Sequence, residues 1–178
     1  MLEIKIIPIT NENKKYFNKF ESNFIIDGFC DLYIENKIIK YNIIKTEPKI
    51  KKYPEEELKI DKYIDSEDKI VYFAFYHNEI VGQIVFSKSW NNYGYIEDIR
   101  VNNNFRKMGI GKLLINKAKE WAIDKNYLGL SLETQNNNTE ACKFYEKCGF
   151  EIGGFDKYLY KNTPNLSNEI AIYWYWFR

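Results

Sequence analysis

The 178-residue sequence predicts a single α/β (α+β) domain, in which a mixed and mostly antiparallel central sheet is flanked by helices. Residues 95–101 alternate as a strand does, and a glycine-containing turn and an apolar-striped stretch, residues 113–122, follow them. Residues 129–135 have the pattern of a second strand, and residues 140–148 that of a second helix, which Gly149 is expected to end. This succession of strand, turn, helix, strand and helix is typical of a domain that combines helices with a sheet.

The strand at residues 95–101 predicts which side chains share a face. A regular strand would place Tyr95, Glu97, Ile99 and Val101 on one face and Ile96, Asp98 and Arg100 on the other. A bulge in the strand would change this division.

Local patterns predict the remaining elements. Residues 2–9 are expected to form a strand and residues 12–20 a helix. A hairpin of residues 29–34 and 37–44 is expected to turn at Glu35 and Asn36, and a linker over 49–54 and a short helix over 55–63 are expected to follow it. A second hairpin is expected from residues 70–76 and 80–88, with its turn at His77 and Asn78. The closing strands are expected at 158–160 and 169–177. The aromatic residues 173–177 are expected to be a strand buried on both faces, and a wall around a substrate or a dimer contact is compatible with that.

Composition excludes several classes of protein. The net charge is +1, so neither nucleic acid nor an anionic membrane is expected as the main partner. No apolar run approaches the ~18–20 residues of a membrane span, and the start of the chain lacks a signal-peptide layout. The three cysteines show neither CxxC nor Cys/His metal spacing, so no metal site is expected and reduced thiols in a cytoplasmic location are favoured.

The turn at residues 106–111, Arg-Lys-Met-Gly-Ile-Gly, predicts an anion site. Its glycines would let backbone N–H groups approach a bulky anion, and the helix N-terminus behind them adds unpaired donors and the positive end of a dipole. A P-loop is excluded because Lys112 is followed by leucine, and a dinucleotide fingerprint is excluded because Leu114 stands where a third glycine or alanine is needed.

These segments resemble the GNAT superfamily of acetyl-CoA-dependent N-acetyltransferases. Arg106, Gly109 and Gly111 match its pyrophosphate-binding segment. Its second cofactor segment is matched by Asn138, Ala141, Phe144, Tyr145, Gly149 and Phe150. The resemblance covers about residues 70–160. It implies a single GNAT domain over 1–178 with acetyl-CoA as co-substrate, in which about residues 1–64 form the acceptor side and about residues 65–178 bind the cofactor.

A closer resemblance is to the streptothricin acetyltransferases, and it extends from about residue 65 to the end of the chain. It rests on YIEDI at 95–99, LETQ at 132–135, ACKFY and CGF within 141–150, and the aromatic terminus from EIAI at 169–172. Arg100 stands where that family usually has a small residue, and Lys157 and Tyr158 replace a more neutral pair. Either departure could alter which amine is accepted.

Acetyl transfer to an amine needs a deprotonated amine, a polarised thioester carbonyl and an acid for the leaving thiolate. Tyr145 is expected to be the acid, since a phenol keeps its proton at neutral pH. By pattern alone Tyr145 belongs to a core stripe with Ala141, Phe144 and Cys148, and it is the resemblance that favours the catalytic role.

Acidic residues are the candidates for handling the amine. Glu97 is expected to act as the base through a water, although a solvated edge residue fits its position equally well. Glu133, at the end of the next strand, is a second acid for recognition or deprotonation of the amine. The expected catalytic set is therefore Tyr145, Glu97 and Glu133, and the expected substrate-binding set is Tyr95, Glu97, Asp98 and Glu133.

Cofactor binding is expected mainly from backbone N–H groups of the turn. Arg106 could bind phosphate or be a solvated arginine beside a helix, and Asn138 is expected both to cap its helix and to contact the cofactor. The full expected set is Ile99, Arg100, Val101, Arg106, Lys107, Met108, Gly109, Ile110, Gly111, Lys112, Asn138 and Tyr145.

The sequence thus predicts an acetyl-CoA-dependent N-acetyltransferase that acts on a primary amine of a small cationic molecule. By resemblance this would be a streptothricin-type antibiotic, and the activity would confer resistance. Acetylation of a protein N-terminus or lysine is an alternative, and so is an acyl-CoA-binding sensor without turnover. A homodimer stays open.

Overall fold

The computed structural model describes residues 3–51 and 59–178. The strands within these ranges are β1 (Ile4–Pro8), β2 (Phe24–Glu35), β3 (Ile38–Lys51), β4 (Lys69–Tyr76), β5 (Glu79–Lys88), β6 (Gly94–Val101), β7 (Gly129–Gln135), β8 (Glu151–Asp156) and β9 (Ala171–Phe177). The α-helices are α1 (Ile110–Asp124) and α2 (Thr139–Lys147). The described residues divide into a first unit of 3–23, 59–130 and 178, and a second unit of 24–51 and 131–177.

In the first unit the strands lie in the order β1-β4-β5-β6, and each neighbouring pair is antiparallel. The helix α1 packs closely on β5, because a Cβ added at Gly82 would lie 3.2 Å from side-chain atoms of both Ile110 and Leu114. A separate hydrophobic cluster in this unit consists of Ile9, Tyr63, Val71, Phe73, Phe75, Ile80 and Val85. These buried apolar surfaces stabilise the unit through the hydrophobic effect.

In the second unit the strands lie in the order β7-β9-β8, and β2 and β3 form a two-stranded hairpin. Trp174 on β9 is only 1% exposed, and its indole N–H donates a 3.2 Å hydrogen bond to the hydroxyl of Thr134 on β7. The strand β9 is buried at Ala171, Ile172 and Trp174, whereas Phe177 at its end is exposed. Residues 173–177 were expected to be buried on both faces, and this expectation is wrong, because Trp174 is the one buried residue among them.

The hairpin β2–β3 confirms the expected hairpin but is longer than predicted, and it turns one residue later. The turn residues are Asn36 and Lys37, with φ of 49° and 66°, and Glu35 lies opposite Ile38. Two-residue hairpin turns favour positive φ at both central residues, which asparagine tolerates better than most residue types. The linker expected over 49–54 is wrong where it is described, since residues 49–51 pair with β2. Residues 52–54 of that linker lie outside the described ranges.

The helix expected over residues 12–20 is wrong. Only a short 3-10 helix, Lys14–Tyr16, forms there. Asn13 explains this in part, because its side chain accepts a 2.7 Å hydrogen bond from the N–H of Thr10 and donates one to the carbonyl of Pro8. Asn18 then adopts a positive φ of 55°, which a continuing α-helix does not allow.

Two other expectations meet different outcomes, and one strand was not predicted. The helix expected over 55–63 is described only from residue 59 onward, where a 3-10 helix, Ile60–Tyr63, is found. The strand expected at 158–160 is wrong, because the side chain of Asp156 accepts hydrogen bonds from the N–H groups of Tyr158 and Leu159 and forms a turn. The strand β8 was not predicted, since its two adjacent glycines are depleted in strands.

The hairpin β4–β5, the strand β7 and the helix α2 lie where the sequence predicts them, and Gly149 ends α2 with a φ of 82°. In the described residues no helix is long and apolar enough to cross a membrane. The cysteines are free thiols, with Cys30 and Cys142 buried and Cys148 half-buried.

Candidate active site

The glycine turn lies between β6 and α1 in the first unit. Asn102 begins it by accepting a 3.1 Å hydrogen bond from the N–H of Asn104, and Lys107 and Gly109 have positive φ of 61° and 86°. Gly109 is the N-cap of α1, and no side chain caps this end of the helix. The first N–H groups of α1 therefore lack an intrahelical acceptor and a capping side chain, which is the arrangement that binds phosphate at helix N-termini.

Arg106 is held against the backbone beside the turn. Its Nε donates a 3.3 Å hydrogen bond to the carbonyl of Val101, and its Nη2 donates one of 3.2 Å to the hydroxyl of Ser22. Burial lowers the pKa of Arg106, but a guanidinium stays charged in proteins. These contacts use two of its five N–H donors, so the positive charge lies beside the turn with donors remaining for an anion.

A β-bulge in β6 decides where Glu97 lies. Val85 on β5 pairs with Asp98 and Phe86 pairs with Ile96, so Glu97 has no partner residue on β5. A bulge changes the alternation of side chains along its strand, so β6 is not a regular strand.

The expected division of β6 into two faces is therefore wrong. Cross-strand partners share a face, so Tyr95, Asp98 and Arg100 lie on the face of their partners on β5, Ser87, Val85 and Gln83. By the same pairing, Ile99 and Val101 share the opposite face with Ile96. The bulge thus separates Tyr95 from the two apolar residues that were expected beside it.

Both carboxylate oxygens of Glu97 accept hydrogen bonds from hydroxyl groups. The phenol of Tyr63 donates to Oε2 at 2.5 Å, and the hydroxyl of Ser87 donates to Oε1. Tyr63 and Ser87 are 5% and 8% exposed, whereas Glu97 is an exposed residue. Glu97 is therefore exposed to solvent and is held at both of its carboxylate oxygens.

Asp98 is part of a different network. Its carboxylate accepts a 2.9 Å hydrogen bond from Nε of Arg100 and one of 3.0 Å from Nε2 of Gln83. Gln83 is fully buried and also exchanges hydrogen bonds with Asn18. Arg100 neutralises Asp98, and Gln83 anchors the Asp98 carboxylate. The Asp98–Arg100 pair therefore has a structural role in the first unit, whatever else the two residues contact.

Tyr145 lies in the second unit on α2 and is 6% exposed. Its ring contacts those of Phe150 and Trp174, with centroids 5.8 Å and 6.2 Å away. The buried residues of α2 are Thr139, Cys142 and Tyr145, so the core stripe expected through Ala141, Phe144 and Cys148 is wrong except at Tyr145. The ring is therefore held by its neighbours whether or not its hydroxyl takes part in catalysis.

Glu133 on β7 is half-buried in the second unit. Burial raises its pKa above the usual value for a glutamate, and a 2.5 Å hydrogen bond from the phenol of Tyr160 opposes that rise. A raised pKa makes the Glu133 carboxylate a stronger base than an exposed glutamate, which is compatible with recognition or deprotonation of an amine.

Asn138 caps α2 as the sequence predicts. Its side-chain oxygen accepts a 3.2 Å hydrogen bond from the N–H of Ala141. Its side-chain N–H₂ group is not needed for the cap, so the two roles expected for Asn138 are compatible.

The structure gathers the candidates into groups inside each unit. The first unit contains the turn, in which Lys107, Met108 and Lys112 are exposed and Ile110 is buried. The hydrogen-bonded groups around Glu97 and around Asp98 also lie in this unit and are separate from the turn. The second unit holds Glu133, Asn138 and Tyr145. No group of at least three histidine, cysteine, aspartate or glutamate side chains that could hold a metal ion occurs in the part of the chain that is described.

Sequence reasoning missed the hydroxyl donors Tyr63, Ser87 and Tyr160. Tyr63 lies 34 positions before Glu97, and Tyr160 lies 27 positions after Glu133. No spacing rule connects residues so far apart. Only Ser87 gave a signal, because a β-hairpin brings residues near the end of β5 opposite the start of β6.

Comparison with known proteins gives consistent matches. The profile of the acetyltransferase (GNAT) family matches residues 34–150. Streptothricin acetyltransferase A of Bacillus subtilis (strain 168) is 38% identical over 172 residues, which are 96% of this chain and 98% of the relative. A streptothricin acetyltransferase of Escherichia coli is 39% identical over 158 residues, which are 88% of this chain and 87% of the relative.

Solved structures agree. The crystal structure of a proposed streptothricin acetyltransferase from Bacillus anthracis str. Ames, in complex with acetyl coenzyme A, has a TM-score of 0.93 and 43% identity, and the match covers 99% of this chain and 100% of that one. The structure of a nourseothricin acetyltransferase has a TM-score of 0.80 and 24% identity, covering 97% of this chain and 96% of that one, and it supports the fold alone. The expected GNAT fold is confirmed, and the chain belongs to the GNAT family of N-acetyltransferases.

Proposed function

We propose that this chain transfers the acetyl group of acetyl-CoA to a primary amine of a streptothricin-type antibiotic and thereby confers resistance. The observation that carries the proposal is the similarity, over nearly the whole of both chains, to streptothricin acetyltransferase A. Acetylation removes the positive charge of an amine, and an antibiotic that needs this charge to bind an anionic target would lose its action.

The turn supports the use of acetyl-CoA. Its uncapped helix N-terminus, the positive φ of Gly109 and the charge of Arg106 suit a pyrophosphate group. A Cβ added at Gly109 would meet nothing within 4 Å, so there is room for a bulky anion at this end of α1. Lys107 to Lys112 would hold the pyrophosphate through backbone N–H groups, and Ile99, Arg100, Val101 and Asn138 are proposed as further cofactor contacts. Acetyl-CoA supplies the acetyl group as an activated thioester.

Glu97 is the proposed base. An alkyl ammonium group has a pKa of about 10.4, so it must lose a proton before it can attack. Glu97 would accept this proton through a water, since an exposed carboxylate held by Tyr63 and Ser87 has lone pairs left for a further donor. In the first unit, Tyr95 and Asp98 are proposed as further substrate contacts. In the second unit, Glu133 is proposed to take part in recognition or deprotonation of the amine.

Tyr145 is the proposed acid. Its phenol keeps a proton at neutral pH and could donate it to the departing sulfur. The ring contacts with Phe150 and Trp174 would fix the direction of the hydroxyl, which proton transfer requires. Residues 1–64 are proposed to contribute to the acceptor side. A cytoplasmic location is proposed because the three cysteines are free thiols.

The proposal is tested by thiol release from acetyl-CoA with a panel of streptothricin, aminoglycosides, polyamines and N-terminal peptides. Turnover on streptothricin above all other amines is expected. Turnover only on a peptide would indicate that the substrate is a protein and not an antibiotic. Binding of acetyl-CoA without turnover of any amine would favour the alternative of an acyl-CoA-binding sensor without catalytic activity.

A further inference from the structure

We propose that Tyr63 and Ser87 are positioning residues that hold the Glu97 carboxylate in the direction needed for deprotonation of the amine. The inference rests on the proposed role of Glu97 as base. It adds two residues that none of the sequence motifs contains and that act only through Glu97.

The bulge in β6 leaves Glu97 without a directly opposite residue on β5. Because Glu97 has no partner residue on β5, no directly opposite side chain of that strand restricts its rotamer, as Phe86 does for Ile96 and Val85 does for Asp98. A glutamate side chain loses on the order of 1.5–2 kcal/mol of rotamer entropy when it is fixed. An exposed Glu97 would therefore sample many directions unless other groups held it.

Two rigid donors, Tyr63 and Ser87, hold the side chain of Glu97. Tyr63 lies in the hydrophobic cluster of the first unit and is 5% exposed, so its phenol has a fixed place. Lys69 lies with its Nζ 5.4 Å from the centre of the Tyr63 ring, which restrains the ring further. Ser87 lies on β5 and is 8% exposed, so its hydroxyl also has a fixed place.

The hydrogen bonds from Tyr63 and Ser87 set the direction of the Glu97 carboxylate. One hydroxyl donates to each carboxylate oxygen, so the direction of the carboxylate is restrained at both oxygens. A carboxylate has about four lone-pair sites, and two stay open for a water or an amine. Neutral donors fix the direction without neutralising the charge, whereas Arg100 does neutralise Asp98 on the same strand. This contrast favours Glu97 over Asp98 as the base.

The test is a double-mutant cycle of Tyr63→Phe and Glu97→Gln, measured by thiol release on whichever amine of the panel is acetylated. We expect Tyr63→Phe to lower kcat by about tenfold, the effect of losing one hydrogen bond to a charged group, with the KM for acetyl-CoA unchanged. In the Glu97→Gln background the same substitution should change kcat by less than about twofold, because the group through which Tyr63 acts is gone.

Two controls separate positioning from packing. Tyr16 packs against the same hydrophobic cluster as Tyr63, so Tyr16→Phe also removes a phenol hydroxyl there and is expected to leave kcat unchanged. Ser87→Ala should lower kcat as Tyr63→Phe does, and Ser87→Thr, which keeps the hydroxyl, should restore it.

The inference is overturned if Tyr63→Phe lowers kcat equally in both backgrounds, or if Ser87→Ala and Tyr63→Phe both leave kcat unchanged. Either result together with turnover of an amine would leave the acetyltransferase proposal intact. Absence of turnover with every amine would overturn the proposed function and this inference with it.

Discussion

The phenol of Tyr160 donates a hydrogen bond of 2.5 Å to Oε1 of Glu133, although 27 positions separate the two residues. Tyr160 lies in the turn region after β8, where the sequence had predicted a strand. Burial raises the pKa of Glu133, and the hydrogen bond works in the opposite direction. The turn after β8 therefore supplies a hydrogen-bond donor to the half-buried carboxylate of Glu133.

This relationship predicts a pH dependence of stability. A raised pKa means that the folded protein binds the proton of Glu133 more tightly than the unfolded chain does. The resulting contribution to stability is greatest in acid and is lost as the pH rises through the raised pKa. Relative to the native protein, Glu133→Gln should therefore gain stability as the pH rises from the ordinary glutamate pKa of about 4.3 through the raised pKa of Glu133, as measured by thermal unfolding. Glu151→Gln, at an exposed carboxylate, should show no such trend, and an equal trend in both variants would contradict the prediction.

Replacement of Tyr145 tests the proposed acid. Tyr145→Phe keeps the ring contacts with Phe150 and Trp174 and removes only the hydroxyl. We expect kcat to fall by about 10²-fold, the magnitude typical of general acid catalysis, with little change in the Kd of acetyl-CoA by calorimetry. Tyr41→Phe is the matched control, because that ring also packs on Trp174 but its hydroxyl donates to Glu146. An unchanged kcat in Tyr145→Phe would remove the residue from the acid role.

A bulky side chain in the glycine turn should block the cofactor. Gly111→Trp places an indole in the first turn of α1, where backbone N–H groups are proposed to hold the pyrophosphate. We expect acetyl-CoA binding to fall below detection by calorimetry while the protein stays folded. Ile123→Trp, at an exposed position near the other end of α1, should bind acetyl-CoA normally. A normal Kd for Gly111→Trp would show that the pyrophosphate binds elsewhere.

The two roles of Asn138 can be separated by two substitutions. Asn138→Ala removes the cap on the N–H of Ala141 and should cost about 1 kcal/mol of stability. Asn138→Asp keeps an acceptor oxygen for the cap but loses the side-chain N–H₂ group, so we expect an unchanged Tm and weaker binding of acetyl-CoA. If Asn138→Asp binds acetyl-CoA as tightly as the native protein, Asn138 is a helix cap and nothing more.

The glycine turn, the helix behind it and the cap at Asn138 could be predicted because each depends on residues close together in the chain. Gly109 adopts its positive φ and Gly149 ends α2 for local steric reasons, and both effects are visible in the sequence. The helix expected over 12–20 does not form for a reason that is also local. Asn13 forms competing hydrogen bonds with the nearby backbone and Asn18 adopts a positive φ, and the apolar pattern records neither.

The residue types of the proposed reaction, and the order of the elements that carry them, were determined by the sequence alone. Tertiary structure decided what those residues contact. The bulge at Glu97 depends on how β6 pairs with β5, and it redistributes the faces of Tyr95, Ile99 and Val101. The hydroxyl partners of Glu97 and Glu133 come from distant segments that meet only in the folded chain. Local backbone preferences act over a few residues and leave a signature in the sequence. Contacts between distant segments depend on the packing of the whole fold, and no short pattern records them.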